Sequence, residues 1–363
     1  MKYLTSVAIF AVCGAALTSC SDWTEPKSID VKYGTIEEAE NYPAYLESLR
    51  EYRATDHTQI YAWVDLTEDA PKNQSQRVTS LPDSIDVLVM TATTNLDPVV
   101  ASDLQKVRQE KGMKVLFDID FDALKAQHTE LCALNAVGRE NLEAEFAAKD
   151  LDDPAVKAEY DQKLAALTDP ELKDYLIQNL TSSLNYVKKT SLDGAIFSFD
   201  GKSSNYLEGS ELAEYTENKN LFLGAAADWF KRNPGMIFDF VGKPQNIDNA
   251  DLIADFNRLF IRQSMNATSV NNFDFIYTSV ANVNGVPAEK LGMMTTFISS
   301  DENDVKTGYL TNGSYAIDAL TTWLTGHKVA AVGVKNVQVD YFTTPSYSYP
   351  HVRALIQAAN PKY

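Results

Sequence analysis

Leu192-Asp193-Gly194-Ala195-Ile196-Phe197-Ser198-Phe199-Asp200 is the most telling stretch of this chain. Its period is two, which is the period of a strand. Gly194, Ile196, Ser198 and Asp200 share one face, while Phe197 and Phe199 share the other. The aromatic face suits packing under helices. The opposite face is mixed, and it ends on a carboxylate at the C-terminal end of the run.

Working outward, similar runs recur. Before this strand lie Ile60–Leu66, Ile85–Thr91 and Lys114–Ile119. After it lie Met236–Val241, Phe273–Val280, Met293–Ile298 and Val329–Val334. Helical spacing separates them. Tyr42–Arg53 places Tyr45, Leu46 and Leu49 on one face, and Asp103–Lys111 is stopped by Gly112. Further helical patterns cover Leu221–Arg232, Tyr315–Thr325 and Val352–Ala359. A long region from Asp122 to Lys189, rich in Ala, Leu, Glu and Lys, is broken by Asp-Pro at 153–154 and 169–170. Its alternating charges fit a solvated helical insertion. Eight strand-like runs alternating with helices predict an α/β fold, a (β/α)8 barrel with a helical insertion between strands three and four. A doubly wound parallel sheet is the alternative that periodicity leaves open. In a barrel, Asp200 stands at the mouth, where barrel enzymes keep their chemistry.

The chain opens differently. Lys2 precedes an apolar stretch, Val7–Leu17, too short to span a bilayer and ending in small residues, as a signal peptide does. Leu17-Thr18-Ser19-Cys20 resembles the lipobox of bacterial lipoproteins. Residues 1–19 are thus expected to be a lipoprotein signal peptide, with lipid on Cys20. Residues 20–40 read as a tether and 41–363 as the folded domain. Of the other cysteines, Cys13 leaves with the signal, and Cys132 is expected to be a small buried side chain. The acidic start Ser21-Asp22-Trp23-Thr24-Glu25-Pro26 resembles the surface-export signal of lipoproteins in bacterial glycan-utilisation systems. That resemblance implies an outer-membrane, surface-exposed anchor, with an importer or glycosidases as possible partners.

The 363 residues carry a net charge of −18, which argues against nucleic acid as a partner. His57, His128, His327 and His351 are scattered, and no HExxH or Cys/His spacing marks a metal site. Glycine-rich phosphate loops are missing too, so neither metal nor cofactor is expected.

The 192–200 stretch resembles the fourth strand of family 18 glycoside hydrolases, whose pattern is D-G-x-D-x-D-x-E. Asp193 and Gly194 match the opening, whereas Ile196, Ser198 and Asp200 replace the two later aspartates and the glutamate. Members of that family, chitinases and endo-β-N-acetylglucosaminidases, use the substrate's own acetamide as nucleophile. The resemblance implies that the second aspartate orients that acetamide and that the glutamate protonates the leaving oxygen. Ser198 lacks the charge for the first task. Asp200 is one methylene short for the second, a displacement of roughly 1 Å that costs about a hundredfold in rate. The resemblance therefore implies a glycan-binding protein with no intact catalytic set. Its ligand would be an N-acetylglucosamine-containing oligosaccharide, such as an N-glycan. The alternative is a working endo-β-N-acetylglucosaminidase or chitinase-like hydrolase using Asp200 as acid, helped by Asp118 or Asp239.

Sugar recognition needs aromatic faces and planar polar groups. Strand-end candidates are Trp63 and Asp65, Asp118 and Asp120, Asp200, Asp239, and Asn282 after the sixth run. Tyr206, Tyr309, Tyr347 and Tyr349 are candidate loop platforms, and Trp229 and Trp323 are expected in the core. Each strand tryptophan or aspartate also has a structural reading, as core filler or as a helix cap.

Overall fold

The computed structural model describes residues 41–66, 69–91, 95–262, 270–283 and 285–361. The signal segment, Cys20 and the 20–40 tether lie outside the described residues. The chain divides into Met1–Glu47 and Ser48–Tyr363. Within the first unit only 41–47 are described, and they begin a helix, α1 (Tyr42–Arg53).

The second unit is a closed barrel of eight parallel strands in the order β1 to β8. They are β1 (Gln59–Val64), β2 (Val87–Met90), β3 (Lys114–Asp120) and β4 (Gly194–Phe199), then β5 (Ile237–Gly242), β6 (Leu259–Arg262), β7 (Leu291–Thr296) and β8 (Ala331–Lys335). β1 pairs with both β2 and β8, which closes the ring. The expected (β/α)8 barrel is thus the observed fold, and the doubly wound alternative falls.

The core has two shells, as the period of two demands. Ile60, Ala62, Phe197, Phe199 and their equivalents face outward under helices. Trp63, Val89, Leu116, Ile196, Val241, Phe260 and Met294 fill the barrel axis. The retained opening of the β4 motif belongs to this scaffold. Asp193 accepts from the Val115 backbone N–H at 2.9 Å and pairs with Arg108 at 3.1 Å and Lys114 at 3.2 Å. Gly194 has φ +156°, and a Cβ there would sit 2.1 Å from the Ile237 carbonyl oxygen. Both residues tie β4 to its neighbours.

The insertion between β3 and β4 is three helices: α3 (Phe121–Phe146), α4 (Pro154–Ala165) and α5 (Leu172–Lys189). They follow α2 (Pro98–Gln109). The Asp-Pro breaks act as expected. Asp153 caps α4 with Pro154 in its first turn, and Asp169 pairs with Arg139 at 3.0 Å. α6 (Gly209–Arg232) follows β4, and the remaining helices are α7 (Ala250–Asp255), α8 (Asn271–Ala281), α9 (Ala316–Leu324) and α10 (Pro350–Ala359).

Three expectations need correction. The stretch Phe273–Val280 is not the sixth strand but the body of α8. Phe273 and Val280 are both buried and seven residues apart, which puts them on one face of a helix after two turns, whereas in a strand they would face opposite ways. The sixth strand is Leu259-Phe260-Ile261-Arg262, only four residues long. Cys132 is half-buried, 3.7 Å from His128 Nε2. Trp323 is core as expected, whereas Trp229 is only partly buried.

Candidate functional site

The C-terminal ends of the strands bring one polar cluster together. Asp118 on β3 accepts from Ser198 Oγ at 2.7 Å and from Trp63 Nε1 at 3.2 Å. Burial pushes the Asp118 carboxyl up to about 6; the Ser198 hydrogen bond and the Lys335 and Arg262 charges oppose that rise, while Asp120 adds to it. Asp120 is also raised by burial, and its Oδ1 caps α3 through the Ala123 N–H at 2.9 Å. Its role is the capping one, beside any contact with ligand.

Asp200, at the terminal position of the β4 motif, pairs with Arg262 Nη1 at 3.0 Å. The pair is one-third exposed on both sides. Asp122 accepts from the Asp200 and Gly201 N–H groups at 2.8 and 3.2 Å, and Asn246 donates to the Asp200 carbonyl at 2.6 Å. The turn that carries Asp200 is therefore held from both sides. Two rungs below Asp200, Ile196 is wholly buried in the axial cluster with Trp63, Leu116 and Phe260. Past the ends of β1 and β2, Thr91 Oγ1 donates to Asp65 at 2.5 Å.

A cavity of about 680 Å³ opens beside this cluster, lined at its inner end by Thr91, Asp118, Asp120 and Lys335. That volume lies within the usual range for small-molecule sites, ~300–1,000 Å³. Exposed aromatics stand on loops that leave the same ends of the strands. Tyr206 is 88 % exposed after β4, and Phe342 and Tyr347 are 65 % and 58 % exposed after β8. Tyr309 is half-buried against Tyr315, and Tyr349 is fully buried. Of the four loop tyrosines considered, only Tyr206 and Tyr347 offer open faces.

The structure thus gathers Asp65, Asp118, Asp120, Ser198 and Asp200 at the mouth, and places three candidates elsewhere. Trp63 is 1 % exposed and floors the site through its indole N–H, its ring filling a slot where a Cβ on Gly333 would clash at 2.6 Å. Asp239 lies towards the opposite end, in a second cavity with Gln59, Lys114, Ile237 and Arg258, residues that begin or precede strands. It accepts from the Tyr61 hydroxyl at 2.8 Å, and burial pushes it up to about 7. It is out of reach as a helper to Asp200. Asn282 ends α8, so it is not a strand-end residue. Arg262 and Lys335 were missed, Arg262 because its short strand was. The signal for it was Leu259-Phe260-Ile261-Arg262 itself, an apolar triplet ending in a cation. Among the described residues no cluster of His, Cys, Asp and Glu is arranged to hold a metal ion.

The sequence pattern described as glycoside hydrolase family 18, BT1044-like, matches residues 24–358. The chain belongs to family 18. No curated protein matches it in sequence. Among solved structures it is similar to BT1044 in selenomethionine form, at 15 % identity and a TM-score of 0.56, covering 89 % of this chain and 94 % of that one. It is also similar to the endo-beta-N-acetylglucosaminidase of Cordyceps militaris without ligand, at 14 % identity and a TM-score of 0.53, covering 88 % and 96 %. A mutant of that enzyme in complex with fucosyl-N-acetylglucosamine-Asn matches with the same figures. At such identities these likenesses speak for the family 18 barrel and not for its chemistry.

Proposed function

We propose that this chain is a glycan-binding family 18 barrel that holds an N-acetylglucosamine-containing oligosaccharide at its mouth without cleaving it. The observation that carries this reading is the state of the two catalytic positions. Asp200, where the family places its acid, is ion-paired with Arg262 at 3.0 Å. Its carboxyl group is engaged by that guanidinium and is one methylene shorter than the family's glutamate, so it is not placed to serve a leaving oxygen. Ser198, where the family places the acetamide-orienting aspartate, already donates its hydroxyl to Asp118. The carboxylates, cations and open aromatic faces around them are the groups that read sugar hydroxyls and ring faces. The ligand class rests on the family and on the endo-beta-N-acetylglucosaminidase likeness. The lipobox-like Leu17–Cys20 and the acidic residues after it support a lipid-anchored, surface-exposed place on the outer membrane. There the protein would pass captured glycan to glycosidases or an importer.

A second reading has one observation in its favour. Asp118 is raised to about 6, towards the range that suits a general acid at neutral pH. In that case the chain is a slow hydrolase. The lipid-free protein, incubated with a high-mannose glycopeptide and with chitooligosaccharides, separates the two. Calorimetric binding with no release of reducing ends is expected. Release that disappears in both Asp118→Asn and Asp200→Asn would overturn the binding reading.

A further inference from the structure

The cavity at the mouth does not stop there. From Thr91, Asp118, Asp120 and Lys335 it runs over the barrel rim at β3. Outside the rim its floor is Phe117 and Ile119, which face away from the axis, with Leu124 of α3 alongside. Its wall is one stripe of α5: Asn179, Ser182, Ser183 and Tyr186, at helical spacing, with Lys189 at the far end. Tyr186 is half-buried with its ring 5.3 Å from that of Phe117, so the phenol is braced against the floor.

The composition of that wall is unusual for this chain. From Tyr175 to Val187 there are thirteen residues without a charge. A chain that is 23 % charged would place about three there. The opposite face of α5 explains part of the run, because Leu176, Leu180, Leu184 and Val187 pack inward. It does not explain the groove side, where Ser182 is exposed and Asn179 and Ser183 are half-buried. The neighbouring helices use lysine and glutamate, with Lys163 bridging Glu145 and Glu159. The groove instead presents amides and hydroxyls above an apolar floor: Ser182 Oγ donates to the Gln178 carbonyl and keeps its acceptor lone pairs, and Asn179 donates once to the Tyr175 carbonyl and keeps its Oδ1 and second N–H. Between the charged groups at its two ends, Asp118, Asp120 and Lys335 at one and Lys189 at the other, the middle of the groove matches a neutral polyol with one apolar ring face.

We infer that the α5 groove is a second carbohydrate subsite, which holds the continuation of the oligosaccharide whose first sugars sit in the mouth. This rests on the mouth being a glycan site. Mouth and groove belong to one cavity, with Thr91, Asp118, Asp120 and Lys335 at its mouth end, so a chain leaving the axis over β3 enters the groove.

Calorimetry on the full mature protein tests this with two probes: a branched N-acetylglucosamine-containing glycopeptide, and the same glycopeptide trimmed to its core. Asn179→Ala combined with Ser183→Ala removes polar partners, and Ser182→Trp fills the groove. Thermal melts show whether each variant folds, and the alanine pair stands if the tryptophan does not. Either variant is expected to bind the branched probe about tenfold more weakly and the trimmed probe unchanged. Equal affinity for both probes in the wild type, or variants that weaken both alike, would overturn the subsite and leave the mouth intact. A wild type that binds neither probe would overturn the mouth reading, and the subsite with it.

Discussion

Two carboxylates sit inside this barrel, one towards each end. Asp118, near the C-terminal ends of the strands, is held by Ser198 and the Trp63 indole. Asp239, nearer the N-terminal ends, is held by the Tyr61 hydroxyl. Burial raises both, to about 6 and about 7. An aromatic donor and a raised affinity for protons are therefore shared features, and neither marks a functional residue. What separates them is company and access. Asp118 adjoins Asp120, the Arg262 and Lys335 charges and the cavity that leaves the mouth. Asp239 is wholly buried, with the Arg258 charge beside it. In a parallel barrel the end of the strand decides which carboxylate meets a ligand.

Changes to this arrangement should rank as follows. Ile196 belongs to the apolar filling of the axis, so Ile196→Asp buries a third carboxylate among Trp63, Leu116 and Phe260. A loss of about 3 kcal/mol or more is expected by denaturant titration at pH 7.5. A variant as stable as wild type would show that the axis tolerates charge and that the two ends are not insulated.

The second test uses pH. An unfolded aspartate titrates near ~3.9. Asp239 holds its proton more tightly than that in the folded state, so its contribution is fully present below about pH 4 and is lost as pH rises through about 7. Asp239→Asn keeps the neutral form at every pH. Between pH 5 and 7.5 the wild type should lose up to a few kcal/mol more than the variant. Parallel curves for the two proteins would mean that Asp239 is ionised in the fold without penalty.

The third concerns ligand. Asp200→Ala should weaken glycan binding roughly tenfold, the scale of one lost hydrogen bond to a charged group. Asp239→Asn should leave affinity within about twofold. Equal losses from the two ends would break the comparison. The smallest effect belongs to the exposed rings. Tyr347→Ala should cost about threefold in affinity, with the melting temperature unchanged, since this face packs against little.

The strands most legible in the sequence are those whose two faces differ in chemistry. β4 was read to the residue, because phenylalanines alternate with glycine, isoleucine and serine. β6 escaped, because four residues carry too little alternation, while α8 offers Phe273-Asp274-Phe275-Ile276-Tyr277, an aromatic run that imitates a strand. Arg262 was lost with β6, and it is the residue that engages Asp200. Asp239 was misplaced for a different reason. A barrel strand carries inward residues on several rungs, and strand tilt decides which rung reaches the mouth. The run Met236–Val241 shows that Asp239 alternates inward but not how high it sits.

Asp193 and Gly194 hold β3, β4 and β5 together through backbone contacts. The demands of folding alone therefore account for that pair, whatever the strand's end does. A match to the opening of this motif thus reports a sound barrel, and only the residues further along the strand bear on its chemistry.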